Sequence, residues 1–277
     1  MLLKPTYRPF ILIIILAVAA WMRFTVLNWD EGQWIHPDEG HMRIITSVIE
    51  MPDSLALYFD SAHSPLNCRN RGYEYSYGTL PLFLTRMTAE WLDRGCGETA
   101  AGPGAALALW VAHTFFPADS CHPGSFTGTY SAIVGRMFSA LADLGTVLLL
   151  YLIGRTLYEE RVGLFAAALG ALTAFMIQQA HFFTVDSMAC FFVTLTLYFS
   201  VRAGRSGSWL DFGLAGLSTG LAAACKIDGV MASLLVALAA LWHWFDGRQR
   251  SGSLLQMGFR LVLAGVLAFV AFRVAQP

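Results

Sequence analysis

Apolar residues gather in seven long runs, at roughly 9–27, 131–153, 162–179, 183–201, 209–226, 228–245 and 257–275. Each approaches the ~20 residues that a helix needs to cross the hydrocarbon of a bilayer. Polar or turn-forming stretches bound most of them, such as Tyr158-Glu159-Glu160-Arg161, Arg202 to Gly207 and Asp246-Gly247-Arg248. Only Lys226, Ile227 and Asp228 separate the fifth run from the sixth. The first run follows Lys4 and Arg8 and contains Ala17-Val18-Ala19, the small-x-small form of a signal cleavage site. Its apolar character continues through Trp21, Met22, Phe24, Val26 and Leu27, which is longer than a signal core and reads as a retained anchor.

The stretch of roughly 28–130 has a different pattern. Pro37 to Glu50 carries Met42, Ile44, Ile45, Val48 and Ile49 on one helical stripe, and Leu80 to Leu92 carries Leu82, Leu84, Met87 and Trp91. Both suit helices lying in the membrane interface. The run at 105–116 is too short to span and reads as re-entrant or interfacial. Loops are expected around 63–72 and 117–128, where Gly, Pro and Asn cluster. The expected fold class is therefore all-α: a polytopic membrane helix bundle of about seven spans, forming one membrane domain over 1–277. Interfacial helices occupy its long first outer loop, 28–130. No internal repeat is apparent.

Composition agrees. The 277 residues are 56% hydrophobic and only 13% charged, against roughly 25% charged in soluble domains. Net charge is −1 with scattered basic residues, which excludes a nucleic-acid partner and leaves membrane lipid as the surroundings. Numbering span ends alternately puts Lys4, Arg8, Arg155, Arg161, Arg202, Arg205, Arg248, Arg250 and Arg260 on one side. The opposite short loops hold Lys226, with Arg273 near the last outer end. The positive-inside rule then predicts a cytoplasmic N-terminus and a non-cytoplasmic 28–130 segment. Cys68, Cys96 and Cys121 fall in that segment, where one disulfide could form by any of three pairings. Cys190 and Cys225 sit within spans and read as small buried side chains.

Candidate chemistry is concentrated on the outer face. Pro37 fits the first position of a helix, so Asp38 and Glu39 fall in its first turn. Acids there suit the helix dipole, and a carboxylate at headgroup depth could also deprotonate an attacking hydroxyl. Asp186, preceded by Gln178, Gln179 and His181, begins the fourth span, and Lys226 and Asp228 lie between the fifth and sixth. Ionisable groups at such places are functional candidates. A plain ion pair of Lys226 with Asp186 or Asp228 competes with a cation that holds a lipid phosphate. Arg136 near the outer end of the second span could serve the same way, whereas Asp143, about two turns deeper, is expected to pair inside the bundle. His36, His41, His63, His113 and His122 do not form a zinc set by spacing.

The order of these motifs resembles a known superfamily. His36-Pro37-Asp38-Glu39 is followed by Tyr77-Gly78-Thr79-Leu80-Pro81-Leu82 and by Gly135-Arg136-Met137-Phe138-Ser139-Ala140-Leu141. Gln178 to Ser187 and Lys226-Ile227-Asp228 then complete it. Together they resemble the GT-C polyprenyl-phosphate-dependent glycosyltransferases, in particular the protein O-mannosyltransferases and the bacterial lipid-A aminoarabinose transferases. The resemblance implies Asp38 as the catalytic carboxylate, taking the acceptor's proton, with Glu39 beside it and Asp30-Glu31 as a rival pair. It implies substrate contacts from Asp186, His181, Lys226, Asp228 and Arg136. Ile227 stands where relatives carry an aromatic after the lysine. The donor implied is a polyprenyl-phosphate-linked sugar and the acceptor a protein, lipid or glycan. No cofactor is certain, and a divalent metal could be held by an acidic pair with Asp186. Relatives usually have eleven or more spans. This chain stops after about seven, at Ala275-Gln276-Pro277, and is expected to be an N-terminal portion. No Gly-rich phosphate loop is present. A transporter or flippase would instead place its charges at the membrane midplane, and a non-enzymatic scaffold would leave Asp38, Asp186 and Lys226 remote from one another.

Overall fold

A computed structural model describes residues 7–97, 100–245 and 254–277. Lys4, Arg248, Arg250 and the Asp246-Gly247-Arg248 boundary lie outside the described residues. Among those described, the chain is helical without strands. The helices are α1 (Arg8–Phe24), α2 (Pro37–Val48), α3 (Leu55–Phe59), α4 (Leu80–Gly95), α5 (Pro103–Phe115), α6 (Ser131–Leu157), α7 (Glu160–Leu172), α8 (Ala174–Ala180), α9 (Asp186–Ser206), α10 (Trp209–Cys225), α11 (Ser233–Phe245) and α12 (Leu254–Ala275). Short 3-10 helices cover Cys68–Arg71 and Ile227–Ala232.

The protein is an integral, multi-pass membrane protein, and many large apolar side chains face outward. Phe10, Ile13, Ile14 and Trp21 on α1 and Phe259, Val262, Val266 and Phe269 on α12 are exposed. The expected count of about seven spans is not confirmed. Among the described residues, four stretches are long and apolar enough to cross: Ser131–Leu157, Asp186–Ser206, Ile227–Phe245 and Leu254–Ala275. A fifth is reached if α7 and α8 act as one broken span, bent by 60° at Thr173. The first and fifth runs form helices of 17 residues each, α1 and α10, short of the ~20 that the sequence pattern implied.

The bundle packs α6 on α7 and α9, and α10 on α9 and α12. On α10, Gly216 and Gly220 bring the backbone against Ala264 and Ala268 of α12, where an added Cβ would lie 2.1 Å from a carbonyl oxygen at either position. Small residues spaced by four are how helices approach closely without a hydrophobic driving force in lipid. Asp143 pairs inside the bundle, as expected, and its partner is Arg23 of α1. Arg23 also donates to the carbonyls of Ala19, Ala171 and Gly170. One buried cation thus ties α1, α6 and the end of α7 together.

The segment between α1 and α6 folds over one end of the bundle. Its helices form where the apolar stripes placed them, and Pro37 and Pro81 open α2 and α4. Of the three cysteine pairings left open, the structure forms Cys96–Cys121, with Cα atoms 5.2 Å apart, and leaves Cys68 buried and free. Asp93 reinforces that closure by accepting from the backbone of Phe126 and Thr127.

Candidate active site

The site begins where α1 ends. Residues 25–36 are irregular, with three non-glycine residues at positive φ: Val26 at 58°, Glu31 at 51° and Trp34 at 51°. Such backbone is costly for L residues and persists only where neighbours over-determine it. Here the neighbour is Arg136, fully buried on α6. Its Nε donates to Glu39 Oε1 at 2.6 Å, and its Nη2 to Glu39 Oε2 at 2.6 Å and Asp30 Oδ2 at 2.8 Å. Its Nη1 donates to Asp30 Oδ1 at 3.0 Å and to the Leu27 carbonyl at 2.7 Å. A guanidinium has five N–H donors, and all five are engaged. The rings of Trp29 and Trp34 each lie 5.5 Å from its carbon. Arg136 is paired with two carboxylates, which satisfies the buried cation. The extra negative charge is met by the backbone N–H groups of Gly32, Trp34 and Phe183. Burial alone would raise the pKa of Asp30. Hydrogen bonds and charge from Arg136, with the N–H groups of Gly32 and Trp34, outweigh it and hold the carboxyl below its usual range.

This arrangement corrects two expectations. Arg136 has no donor left for a lipid phosphate. Glu39 is fully buried, and its Oε1 also accepts from the Phe183 backbone N–H at 2.8 Å. It therefore holds α2 against the turn before α9 and has no access to a substrate. Asp30, the rival acid in sequence, is sequestered in the same cluster.

Asp38 differs. It is one residue from Glu39 in the first turn of α2, partly exposed, and among the described residues nothing hydrogen-bonds to or pairs with it. Its charge is close enough to act on buried Tyr75, whose pKa is driven up chiefly by desolvation. The Tyr75 ring stacks on His41, one turn along α2 from Asp38, at 5.8 Å and 21°. It meets Tyr77 edge-on at 5.8 Å.

The loop that carries these tyrosines docks on the end of α10. The Gly78 N–H donates to the Cys225 carbonyl at 3.0 Å, and a Cβ on Gly78 would lie 2.1 Å from the Ala224 carbonyl. Only glycine permits that approach. The next residue after Cys225 is Lys226, where α10 gives way to the 3-10 helix. Lys226 Nζ lies 3.1 Å from Asp186 Oδ1 at the start of α9, and both side chains are partly exposed. Asp228 is exposed beside them. Of the two partners proposed for Lys226, Asp186 is the one engaged. His181 is a clasp: its ring nitrogens stand 2.8 Å from the Ile177 carbonyl and 3.0 Å from the Thr25 carbonyl, joining α8 to the end of α1.

Contacts run from Tyr75 through Tyr77 and Gly78 to the α10 terminus, where Lys226 pairs with Asp186. Asp38 reaches this set through its charge on Tyr75. Sequence reasoning passed over Tyr75, His41 as a ring partner, and the fivefold engagement of Arg136. Tyr75 carried one signal, its place two residues before Tyr77-Gly78. For a divalent ion the donor set does not fit: among the described residues, no group of three or more His, Cys, Asp or Glu side chains is placed to hold one.

Comparison with known proteins places the chain. The described fold is similar to that of the Saccharomyces cerevisiae protein O-mannosyltransferase Pmt1–Pmt2 complex bound to its sugar donor, with a TM-score of 0.64 and 17% identity. The match covers 99% of this chain and 34% of the yeast chain, so the sequence spans about a third of that relative. No curated protein matches it by sequence. Residues 126–274 match the family described as dolichyl-phosphate-mannose-protein mannosyltransferase, a region that includes Arg136, His181, Asp186, Lys226 and Asp228. By that match, which covers more than half of its length, the chain belongs to the dolichyl-phosphate-mannose-protein mannosyltransferase family.

Proposed function

We propose that the protein is a membrane glycosyltransferase that moves a sugar from a polyprenyl-phosphate donor to an acceptor hydroxyl on the non-cytoplasmic face. The observation that carries the reading is the contrast between Asp38 and its neighbours. Asp30 and Glu39 are consumed by Arg136, whereas Asp38 is held on the same rigid helix turn with its carboxylate unpaired. A base must be fixed in place and free to accept a proton.

In the reaction the acceptor oxygen attacks the anomeric carbon, the bond from that carbon to the donor phosphate breaks, and configuration inverts. Asp38 takes the acceptor proton. The electron pair leaves on the lipid phosphate, where Lys226 supplies positive charge as it develops. Asp186 keeps the ammonium oriented at 3.1 Å. Asp228 adds a further acid at the edge.

The Asp186–Lys226 pair belongs to helix ends, at the first residue of α9 and the residue after α10. That favours surface chemistry over a transport site within a span. The Cys96–Cys121 bond in the first loop favours an oxidising, non-cytoplasmic side for this face. Transfer of radiolabelled sugar from a lipid-phosphate donor tests the reading. Asp38→Asn should lower turnover by about 10²–10⁴-fold, the usual range for a general base, while membrane insertion is unchanged. Near-normal turnover by that variant removes Asp38 from the role.

A further inference from the structure

A polar cavity of about 280 Å³ is walled in part by the loop that carries Tyr75 and Tyr77. Its other walls include Tyr58, Ser61, Asn67 and Gln276. Among the described residues its lining holds no carboxylate, and the one ion there, Arg69, is exposed. Three of its hydroxyls are already oriented. Tyr58, Tyr75 and Thr79 donate to the backbone carbonyls of Val274, Gly78 and Ala275, which leaves each oxygen to accept. Asn67 is fixed as well: its Oδ1 accepts from the Arg69 N–H at 3.1 Å and its Nδ2 donates to the Ser61 carbonyl at 2.8 Å. Among the described residues, the side chains of Ser61, Tyr77 and Gln276 make no hydrogen bond.

Fixed acceptors, free donors and aromatic rings suit a neutral polyol. Its hydroxyls would donate to the oriented oxygens and accept from Gln276. Tyrosine presents an apolar body beside its polar tip, which matches the C–H face of a sugar ring. A basic ligand finds no carboxylate here. A hydrocarbon chain would leave Tyr77 and Gln276 dry and without partners, which is costly. The volume falls just below the roughly 300–1,000 Å³ of drug-sized ligand sites, which suits a single ring.

Position separates this cavity from the donor. Its contact with α2 is Ile45, seven residues beyond Asp38, which is two turns or about 10 Å along the same side of the helix. Tyr75 bridges the interval: it walls the cavity, its ring stacks on His41, and it feels the charge of Asp38. The donor's sugar is bonded to its phosphate and must lie between Lys226 and Asp38, so a ring held at Ile45 belongs to the other reactant. We propose that the cavity holds a neutral saccharide ring of the acceptor, which is therefore a glycan whose terminal sugar lies along α2 and presents a hydroxyl to Asp38. The assignment rests on the transfer reading above. In that step the hydroxyl oxygen bonds to the anomeric carbon of the donor sugar, the bond from that carbon to the phosphate breaks, and the hydroxyl proton passes to Asp38.

Binding and role are tested separately. The full chain is placed in phosphatidylcholine nanodiscs with maltose, cellobiose, lactose or mannobiose, and saturation-transfer NMR reads contact. At least one disaccharide should bind. Ser61→Leu and Gln276→Leu, on separate stretches of chain, should each weaken it about fivefold, the order of one neutral hydrogen bond. Ser61→Thr, which keeps the hydroxyl, should retain binding. Binding by none of the four, or binding indifferent to both leucine substitutions, overturns the site. Tighter binding of a serine-containing hexapeptide, weakened by the same substitutions, makes it a peptide site and overturns the saccharide. For the role, labelled lipid-phosphate sugar is supplied together with the disaccharide that binds. Label in a water-soluble trisaccharide, reduced by Ser61→Leu, supports a glycan acceptor. Label confined to the protein pellet, the organic extract or free sugar overturns it. Label that never leaves the donor sinks the transfer reading and the acceptor role with it, while the NMR result still decides whether the saccharide site exists.

Discussion

At the scale of single residues, Arg136 decides which carboxylate is available. Its neighbourhood contains three acids, and the guanidinium removes two of them by direct hydrogen bonds. Lysine has three donors without the planar fork, so Arg136→Lys leaves part of Asp30 or Glu39 buried and unpaired. Breaking a buried pair typically costs about 3–5 kcal/mol, and the expected outcome is a clear drop in the unfolding midpoint in detergent. An unchanged midpoint would mean the cluster does not hold the fold. The acids also set a pH dependence. The folded pKa of Asp30 is depressed, so its contribution is fully present above its unfolded value of roughly 3.9. That contribution is lost as pH falls through the lower folded value. Stability should therefore hold near pH 5 and decline in strong acid, and Asp30→Asn should remove that part of the decline. A midpoint titration of both proteins measures this.

At the scale of elements, α2 is held at both ends. Glu39 anchors its first turn to Arg136 and Phe183, and Arg86 of α4 donates to the Thr46 and Ser47 carbonyls at its last turn. Glu90 orients Arg86 at 2.7 Å and accepts from the Met51 N–H. The helix that bears Asp38 is thus immobilised before any substrate arrives. The second critical contact is Gly78 on the α10 terminus. Gly78→Val places side-chain carbons inside the Ala224 carbonyl, so the Tyr75–Tyr77 loop must lift away. Turnover should fall at least tenfold with much smaller loss of stability, since the loop lies over the end of the bundle. A variant with wild-type turnover would show that the loop has no part in positioning.

The α2 helix itself was legible in the sequence. Pro37, the two acids and the apolar stripe sufficed, because N-terminal preferences and periodicity are local properties. The clamps were not, since Arg86 and Arg136 lie 47 and 97 residues beyond Glu39 and nothing local links them.

At the scale of the whole molecule, the Arg23–Asp143 pair joins α1 to α6 inside the bundle. Removing Arg23 alone strands an acid in a dry interior, whereas replacing both residues with leucine removes the charge altogether. Arg23→Leu should be destabilised by about 3–5 kcal/mol, and Arg23→Leu/Asp143→Leu should recover much of that. Additive losses in a double-mutant cycle would show that the two side chains do not interact. The same scale accounts for the span count. Hydropathy registers apolar character in 162–179 and in 209–226, but a break at Thr173 and a 17-residue helix are matters of backbone path.

The sequence alone determined the solvent, the helical class, the positions of most helices and the outer segment with its acids, because each follows from composition and period over neighbouring residues. Tertiary structure decided which cysteines join, which arginine is spent, and that Lys226 meets Asp186 across 40 residues. It also left Asp38 unpaired while Glu39, one position along, is buried. The physical reason is that hydrogen-bond saturation and burial depend on what the rest of the chain brings near, and adjacent helical residues point about 100° apart into different surroundings.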